Sequence, residues 1–379
     1  MWGRILSLMR KEFAQILRDK ALLFILAWAF TGAIYTAGHG MSMEVKKFPT
    51  VIYDLSKSPA SRELINRFQL PYFKILSYLH REEEITQWLD SGKASMAIII
   101  PPDFQRRINS GEQAKVQVIT DGTISMSATI AAAYVAQIAG DYSMEVLERQ
   151  GRFTRSAFEN LPIIDERLRV EFNPNILSSW FTSLLELLNM FTMVSLLLTA
   201  AAMVREKEYG TLEQLLVSPA RPGEIFIAKI IPTIVIVLSL SLLSIFLILK
   251  PVFGVPIRGS LMLFYSVAAL YVFTMSSLGI AIATVARNLA QAMMIMLLIL
   301  APMLFLSGAW TPPEAMAPWM QWASLISPMR YFIDFGYSVL FKGNGIVYVW
   351  RDIVGIIVLG TLLFGFSRWW FGRTISISK

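Results

Sequence analysis

The chain has no cysteine and only two histidines, His39 and His80, among 379 residues. Without cysteine, disulfides, thiol nucleophiles and thiolate metal sites are excluded. A zinc site takes three or four ligands, so the two distant histidines read as isolated surface or interfacial side chains. Charge is scarce too, at 16% of residues against 55% hydrophobic. No Gly-x-x-x-x-Gly-Lys-Ser/Thr loop is present, because Gly92-Lys93-Ala94-Ser95 lacks the upstream glycine. A chain without that phosphate cradle is not expected to hydrolyse nucleotide itself. The acidic run Glu82-Glu83-Glu84 reads as a solvated helix start rather than a cation site.

What the chain has in abundance is long apolar runs. Six reach or approach the ~20 residues a bilayer helix needs: 21–40, 180–204, 225–249, 260–286, 289–307 and 346–367. The first follows a 20-residue amphipathic prelude and shows no small-residue cleavage site, so no cleavable signal peptide is expected. Basic residues are unevenly placed around these runs. Arg4, Arg10, Lys11, Arg18, Lys20, Arg205, Lys207, Arg221, Lys229, Arg287, Arg368, Arg373 and Lys379 fall on one side, against Lys250, Arg258, Arg330, Lys342 and Arg351 on the other. The positive-inside rule then puts both termini in the cytoplasm.

The segment 41–179 faces outside in that topology. It carries 16 basic and 17 acidic residues, so the formal charge of +7 belongs to the membrane part and reflects topology and anionic lipid. No basic patch with interleaved aromatics supports nucleic-acid binding. Short β-like runs at 49–54, 95–100 and 114–119 are each followed by a helix-like stretch, which predicts a mixed sheet with packed helices. The uncharged stretch 123–140 could pass for a span. Its Thr123, Ser125, Ser127, Thr129 and Gln137 argue against that. A span there would also move either the basic N-terminus or the 205–219 island to the outer face. It is assigned to a long helix of the outer domain.

Between the second and third spans lies a charged island, 205–223. Thr211 with Gln214 reads as a capping box. Leu212, Leu215 and Leu216 give the helix it starts one apolar face, and Ser218-Pro219 stops it. The result is a short amphipathic helix at a membrane surface, with leucines that need a partner. Inside the second span, Glu186 and Asn189 form a polar pair. A carboxylate in hydrocarbon costs ~2.5–3.5 kcal/mol on insertion scales, so Glu186 either lines a pathway or reaches the headgroup water. Pro232 and Pro302 are expected to kink their helices. Pro312, Pro313, Pro318 and Pro328 break 308–345 into pieces rich in Trp and Phe. These read as re-entrant or surface-lying helices, or as an aromatic belt without gating function.

At this point a resemblance emerges. Lys11-Glu12 with Arg18-Asp19-Lys20, the run Arg205-Glu206-Lys207-Glu208-Tyr209-Gly210-Thr211-Leu212-Glu213, Leu306-Ser307-Gly308 with Thr311-Pro312-Pro313-Glu314, and Ile326-Ser327-Pro328 resemble the ABC-2 type transporter permeases. The subgroup with a large extracytoplasmic domain between the first two spans, as in bacterial multidrug-type exporters, is the most similar. The resemblance implies an α-helical polytopic membrane protein with six transmembrane helices per protomer and an α/β extracytoplasmic domain inserted between spans one and two. It implies residues 1–20 as a cytoplasmic connecting helix, bearing Lys11, Glu12, Arg18 and Asp19, and 368–379 as a cytoplasmic tail. The coupling helix would use Glu206, Gly210, Thr211, Leu212, Glu213, Leu215 and Leu216, with Glu206 and Glu213 pairing to the basic residues Arg4, Arg10, Lys11 and Arg18 of the N-terminal segment or to the partner. That partner would be a separate ATPase subunit carrying ATP and Mg; this chain would bind no cofactor. A second permease protomer, homologous or identical, and a periplasmic membrane-fusion adaptor are further implied partners. The site of action would be the bacterial inner membrane. Export of a hydrophobic or amphipathic substrate is the function implied; mechanotransmission to an extracytoplasmic adaptor is the alternative. A gated channel or receptor without an ATPase would leave the 211–217 helix without a role.

Overall fold

The computed structural model describes residues 2–40, 47–121, 125–151, 177–211, 222–311 and 313–377. The chain divides into two compact units, 1–41 with 177–379 and 42–176. The first begins with helix α1 (Trp2–Arg18), which is amphipathic: Ile5, Glu12 and Ile16 are buried, while Leu6, Leu17 and Arg18 are exposed. Asp19 ends it in extended backbone and caps the next helix, its carboxylate accepting from the Leu22 N–H at 3.1 Å. Helices α2 (Lys20–Phe30) and α3 (Gly32–Gly40) then form one apolar stretch interrupted at Thr31.

The 42–176 unit holds β1 (Phe48–Asp54), α4 (Pro59–Ile65), β2 (Phe73–Tyr78), α5 (Glu83–Asp90), β3 (Met96–Ile100), α6 (Phe104–Ser110), β4 (Gln117–Thr120) and α7 (Ser125–Arg149). The sheet order is β2-β1-β3-β4, parallel except for β4. Strand β2 is an addition to the three strands expected from sequence. Its Phe73 is buried, but Leu76 and Tyr78 are exposed on the sheet edge, so the run looks only half apolar. Both faces of the sheet are covered. Ile52, Phe73 and Ile98 pack with Leu64, Phe104 and Val135 on one side, and Val51, Ile85 and Ala97 pack on the other. Successive strand residues point to opposite faces, so neighbours Val51 and Ile52 serve two different cores. The uncharged stretch around 130 belongs to α7, whose Ala131, Val135 and Tyr142 close this core.

The membrane unit continues with α8 (Ser178–Glu208), α9 (Pro222–Ser244, extended as a π-helical turn to Leu249), α10 (Leu261–Val285) and α11 (Leu289–Phe305). The short α12 (Pro318–Ser324) and α13 (Pro328–Gly336) lead to α14 (Ile346–Ile377). Among the described residues, five stretches are long and apolar enough to cross a bilayer: Lys20–Gly40, Ser178–Glu208, Pro222–Leu249, Leu261–Val285 and Ile346–Arg373. The remaining span expected from sequence falls on α11, an apolar helix of only 17 residues. Pro232 and Pro302 lie inside α9 and α11.

Helices α8 and α10 form the centre. Their apolar windows are 72% and 78% buried, against 17% for α14, so α14 turns most of its surface outward. Small residues allow the close crossings expected in a membrane. A Cβ on Gly279 of α10 would lie 2.4 Å from Thr199 Oγ1 and 2.9 Å from the Leu196 carbonyl of α8. One on Gly360 of α14 would lie 2.4 Å from Thr274 Oγ1. The Thr192 and Tyr271 hydroxyls share a 2.6 Å hydrogen bond, satisfying two polar atoms at this crossing. In the segment 308–345, Trp319 and Trp322 of α12 are exposed, while Phe332 and Phe335 of α13 are buried. Phe332 stacks on Tyr271 with ring centroids 3.9 Å apart. The segment is therefore two-sided, part aromatic surface and part core.

Candidate functional site: a charge hub at the end of α8

Four consecutive charged residues close α8, and each is tied to a different element. Arg205 reaches Asp19 at the α1–α2 junction, 3.2 Å away. Glu206 takes Lys11 of α1 at 2.9 Å and Lys229 of α9 at 3.1 Å. The Lys207 ammonium donates to the carbonyls of Ala283, Thr284 and Ala286 at 2.6, 2.7 and 3.1 Å. Glu208 accepts the Leu289 backbone N–H at 2.8 Å. The last two contacts answer a general need of helices. The carbonyls at a C-terminus and the N–H groups at an N-terminus have no partner within the helix. A cation suits the first end and an anion the second. Lys207 therefore caps α10 and Glu208 caps α11, from one turn of α8.

The centre of the hub is buried. Lys229, Glu12 and Glu206 are 4%, 5% and 5% exposed. Lys229 Nζ lies 2.7 Å from Glu12 Oε1 and also donates to the Ala202 carbonyl at 3.3 Å. Lys11, Lys229, Glu12 and Glu206 together carry no net charge, which is what permits their burial. Arg4 and Glu224, 3.8 Å apart, add a second tie between α1 and α9. At the edge, the Leu22 N–H holds the Asp19 carboxyl below its ordinary value, opposed by burial and assisted by Arg205.

Past the hub, Gly210 takes φ +67°, a left-handed conformation that turns the chain out of α8. Tyr209 beside it is exposed. Thr211 Oγ1 donates back to the Glu206 carbonyl at 3.3 Å. The rest of the expected coupling helix, with Leu212, Glu213, Leu215 and Leu216, lies outside the described residues. So does Gln214, the other half of the expected capping box.

The structure brings Lys11, Glu12, Asp19 and Glu206 together. Arg18 stands apart from their pairs, making no ion pair with a described residue. Four members of the hub escape sequence reasoning as site residues: Arg205, Lys229, Lys207 and Glu208. Lys229 had a signal, since it is the one cation in the apolar run 225–249 and such a group needs a partner. Lys207 and Glu208 had none, because their partners are backbone groups of helices about 80 residues away. Elsewhere in α8, Asn189 Nδ2 donates to Glu186 Oε2 at 3.3 Å, and Asn189 Oδ1 is buried without a partner among the described residues. His39 packs between Tyr35 and Phe253, while the His80 N–H donates to Glu84; the two belong to different units.

Residues 21–369 match the family described as ABC-2 family transporter protein. The chain belongs to the ABC-2 transporter family. The Escherichia coli K12 inner membrane transport permease YhhJ is 33% identical over 371 residues, which cover 98% of this chain and 97% of that protein. The probable multidrug ABC transporter permease YbhR of the same strain is 30% identical over 368 residues, covering 95% of each chain. Its namesake YbhS is 27% identical over 369 residues, covering 97% of this chain and 96% of the other. In this ABC-2 chain the family match contains α8, α9, α10 and α11. Helix α1, which supplies Lys11 and Glu12, precedes it. The chain is a multi-pass membrane protein of the permease type.

Proposed function

We propose that this chain is the permease subunit of a bacterial ABC exporter of the inner membrane, driven by a separate ATPase subunit and working as a dimer. The observation that carries this is the hub. Within four residues, α8 grips α1, the α1–α2 junction, α9, α10 and α11, directly before Tyr209, where the segment 209–221 leaves the helix. A push on that loop would be passed to five elements at once. Both termini and the loop face the cytoplasm in this reading, since the basic residues cluster there. Leu212, Leu215 and Leu216 seat in the ATPase, which holds ATP and Mg; the chain itself catalyses nothing. Helix α11 serves as a sixth span, and the 42–176 unit stands outside to meet substrate or an adaptor. Two relatives are named probable multidrug permeases, and the apolar spans with Glu186 and Asn189 suit a hydrophobic or amphipathic cargo.

The test replaces Leu212 and Leu215 with aspartate. Loss of ATPase co-purification is expected; an assembly that stays intact and substrate-stimulated would sink the coupling assignment. Reconstitution of the complete transporter in liposomes then reads ATP-dependent cargo movement. If the 42–176 unit moves with ATP but nothing crosses, the chain is a mechanotransmitter instead.

A further inference from the structure

Beside the hub, α1 and α8 line a cavity of about 500 Å³, within the size range of ligand sites. Its walls are of two kinds. Leu22, Leu197, Leu198 and Ala201 form an apolar wall, and Lys11, Glu12, Arg18, Asp19, Arg205 and Glu206 a charged one. Leu197 and Leu198 precede Arg205 by about two helical turns, so the apolar wall runs about 11 Å along the helix from the charged end.

Lys11, Arg18 and Arg205 match Glu12, Asp19 and Glu206 in number along the lining, and Lys229, outside it, takes up carboxylate charge as well. Glu206 and Glu12 are taken up by Lys11 and Lys229, and Asp19 by Arg205. Arg18 is left over: its exposed side chain makes no hydrogen bond or ion pair with any described residue. Lys11 uses one ammonium donor on Glu206 and keeps others. The cavity thus offers a surplus cation to an anion, next to a greasy slot.

Its position narrows the anion further. The Lys20–Gly40 stretch starts here and the Ser178–Glu208 stretch ends here, so the cavity sits where hydrocarbon gives way to headgroups. On its rim Tyr209 is 78% exposed, and Leu17, next to Arg18 in the chain, is 62% exposed. Aromatic and aliphatic side chains next to cations are what an interfacial surface presents to lipid. A small soluble anion would use the charged wall and leave the apolar one wet. An anionic phospholipid satisfies both.

We infer that this cavity is a binding site for an anionic phospholipid, its phosphate against Arg18 and one acyl chain along Leu22, Leu197, Leu198 and Ala201. The test is native mass spectrometry of the purified full-length chain with dioleoyl phosphatidylglycerol or dioleoyl phosphatidylcholine. One phosphatidylglycerol per protomer should be retained in preference to phosphatidylcholine. Arg18→Gln should cut that retention about fivefold, the worth of one cation near an anionic lipid, and leave phosphatidylcholine unchanged. Ala201→Phe, which fills the slot, should abolish it. Arg18 is exposed, so R18Q carries the test even if the second variant is not recovered. Equal retention of the two lipids, or unchanged retention in R18Q, overturns the assignment. Displacement of the lipid by inorganic phosphate would also overturn it, since the site would then be one for a free anion.

Discussion

Lys229 and Lys11 hold the same carboxylate but in different surroundings. The Lys229 side chain is 3% exposed, that of Lys11 39%. Removing Lys229 leaves Glu12 and Glu206 buried and facing each other, a defect of about 3–5 kcal/mol. Removing Lys11 costs less, because Glu206 keeps Lys229 and water reaches the more exposed position that Lys11 leaves. Lys229→Met should therefore lower the melting temperature in detergent far more than Lys11→Met, read as the folded fraction remaining after heating. Lys207→Met strips the donor from three carbonyls of α10 and should cost about 1–2 kcal/mol. Asp19 has a pH signature. Its carboxyl is depressed chiefly by the Leu22 N–H, so its stabilisation is complete above the ordinary value of 3.8 and fades as pH falls through the lower folded value. Asp19→Asn should be destabilising at neutral pH, and its melting deficit should shrink toward nothing in acid.

At the scale of elements, the crossing of α8 and α10 at Gly279 is a close contact. Gly279→Leu drives a side chain into Thr199 and the Leu196 carbonyl, and overpacking of this kind costs about 1–3 kcal/mol. Chemical denaturation should show it, whereas Gly365→Leu on α14, with open space around it, should be silent. Elements of this kind were legible in sequence to different degrees. The apolar runs placed α2 with α3, α8, α9, α10 and α14, because hydrophobic length is a local property. Helix α11 was legible as apolar, but its 17 described residues fall short of the run 289–307. Strand β2 was hidden, since an edge strand with Lys74 and an exposed Leu76 lacks the apolar density of β1 or β3. For the hub, sequence marked Lys11, Glu12, Asp19 and Glu206, and expected Glu206 to meet a basic residue of the N-terminal helix or the ATPase, but it missed Lys229. Which cation meets Glu206 depends on how α1 and α9 pack on α8, and no local pattern encodes that. Arg18, grouped with these residues in sequence, lies instead on the cavity rim, because it falls on the exposed face of α1.

At the scale of the molecule, the hub makes the end of α8 one body with the α10–α11 turn. Lys207 and Glu208 hold the two helix ends that flank Arg287 and Asn288. If the loop 209–221 is the lever moved by an ATPase, this body must travel as a unit while the two protomers change their separation. The cysteine-free chain makes the movement measurable, because the introduced cysteines are its only thiol labelling sites. Spin labels at Tyr209→Cys and Arg287→Cys, both exposed, report the distance across the hub within one protomer. In the complete transporter, that distance should stay constant between nucleotide-free and ATP-bound states, while the Tyr209→Cys distance between protomers changes. A shift across the hub with no change between protomers would contradict the role of Arg205, Glu206, Lys207 and Glu208 as the joint that carries the push.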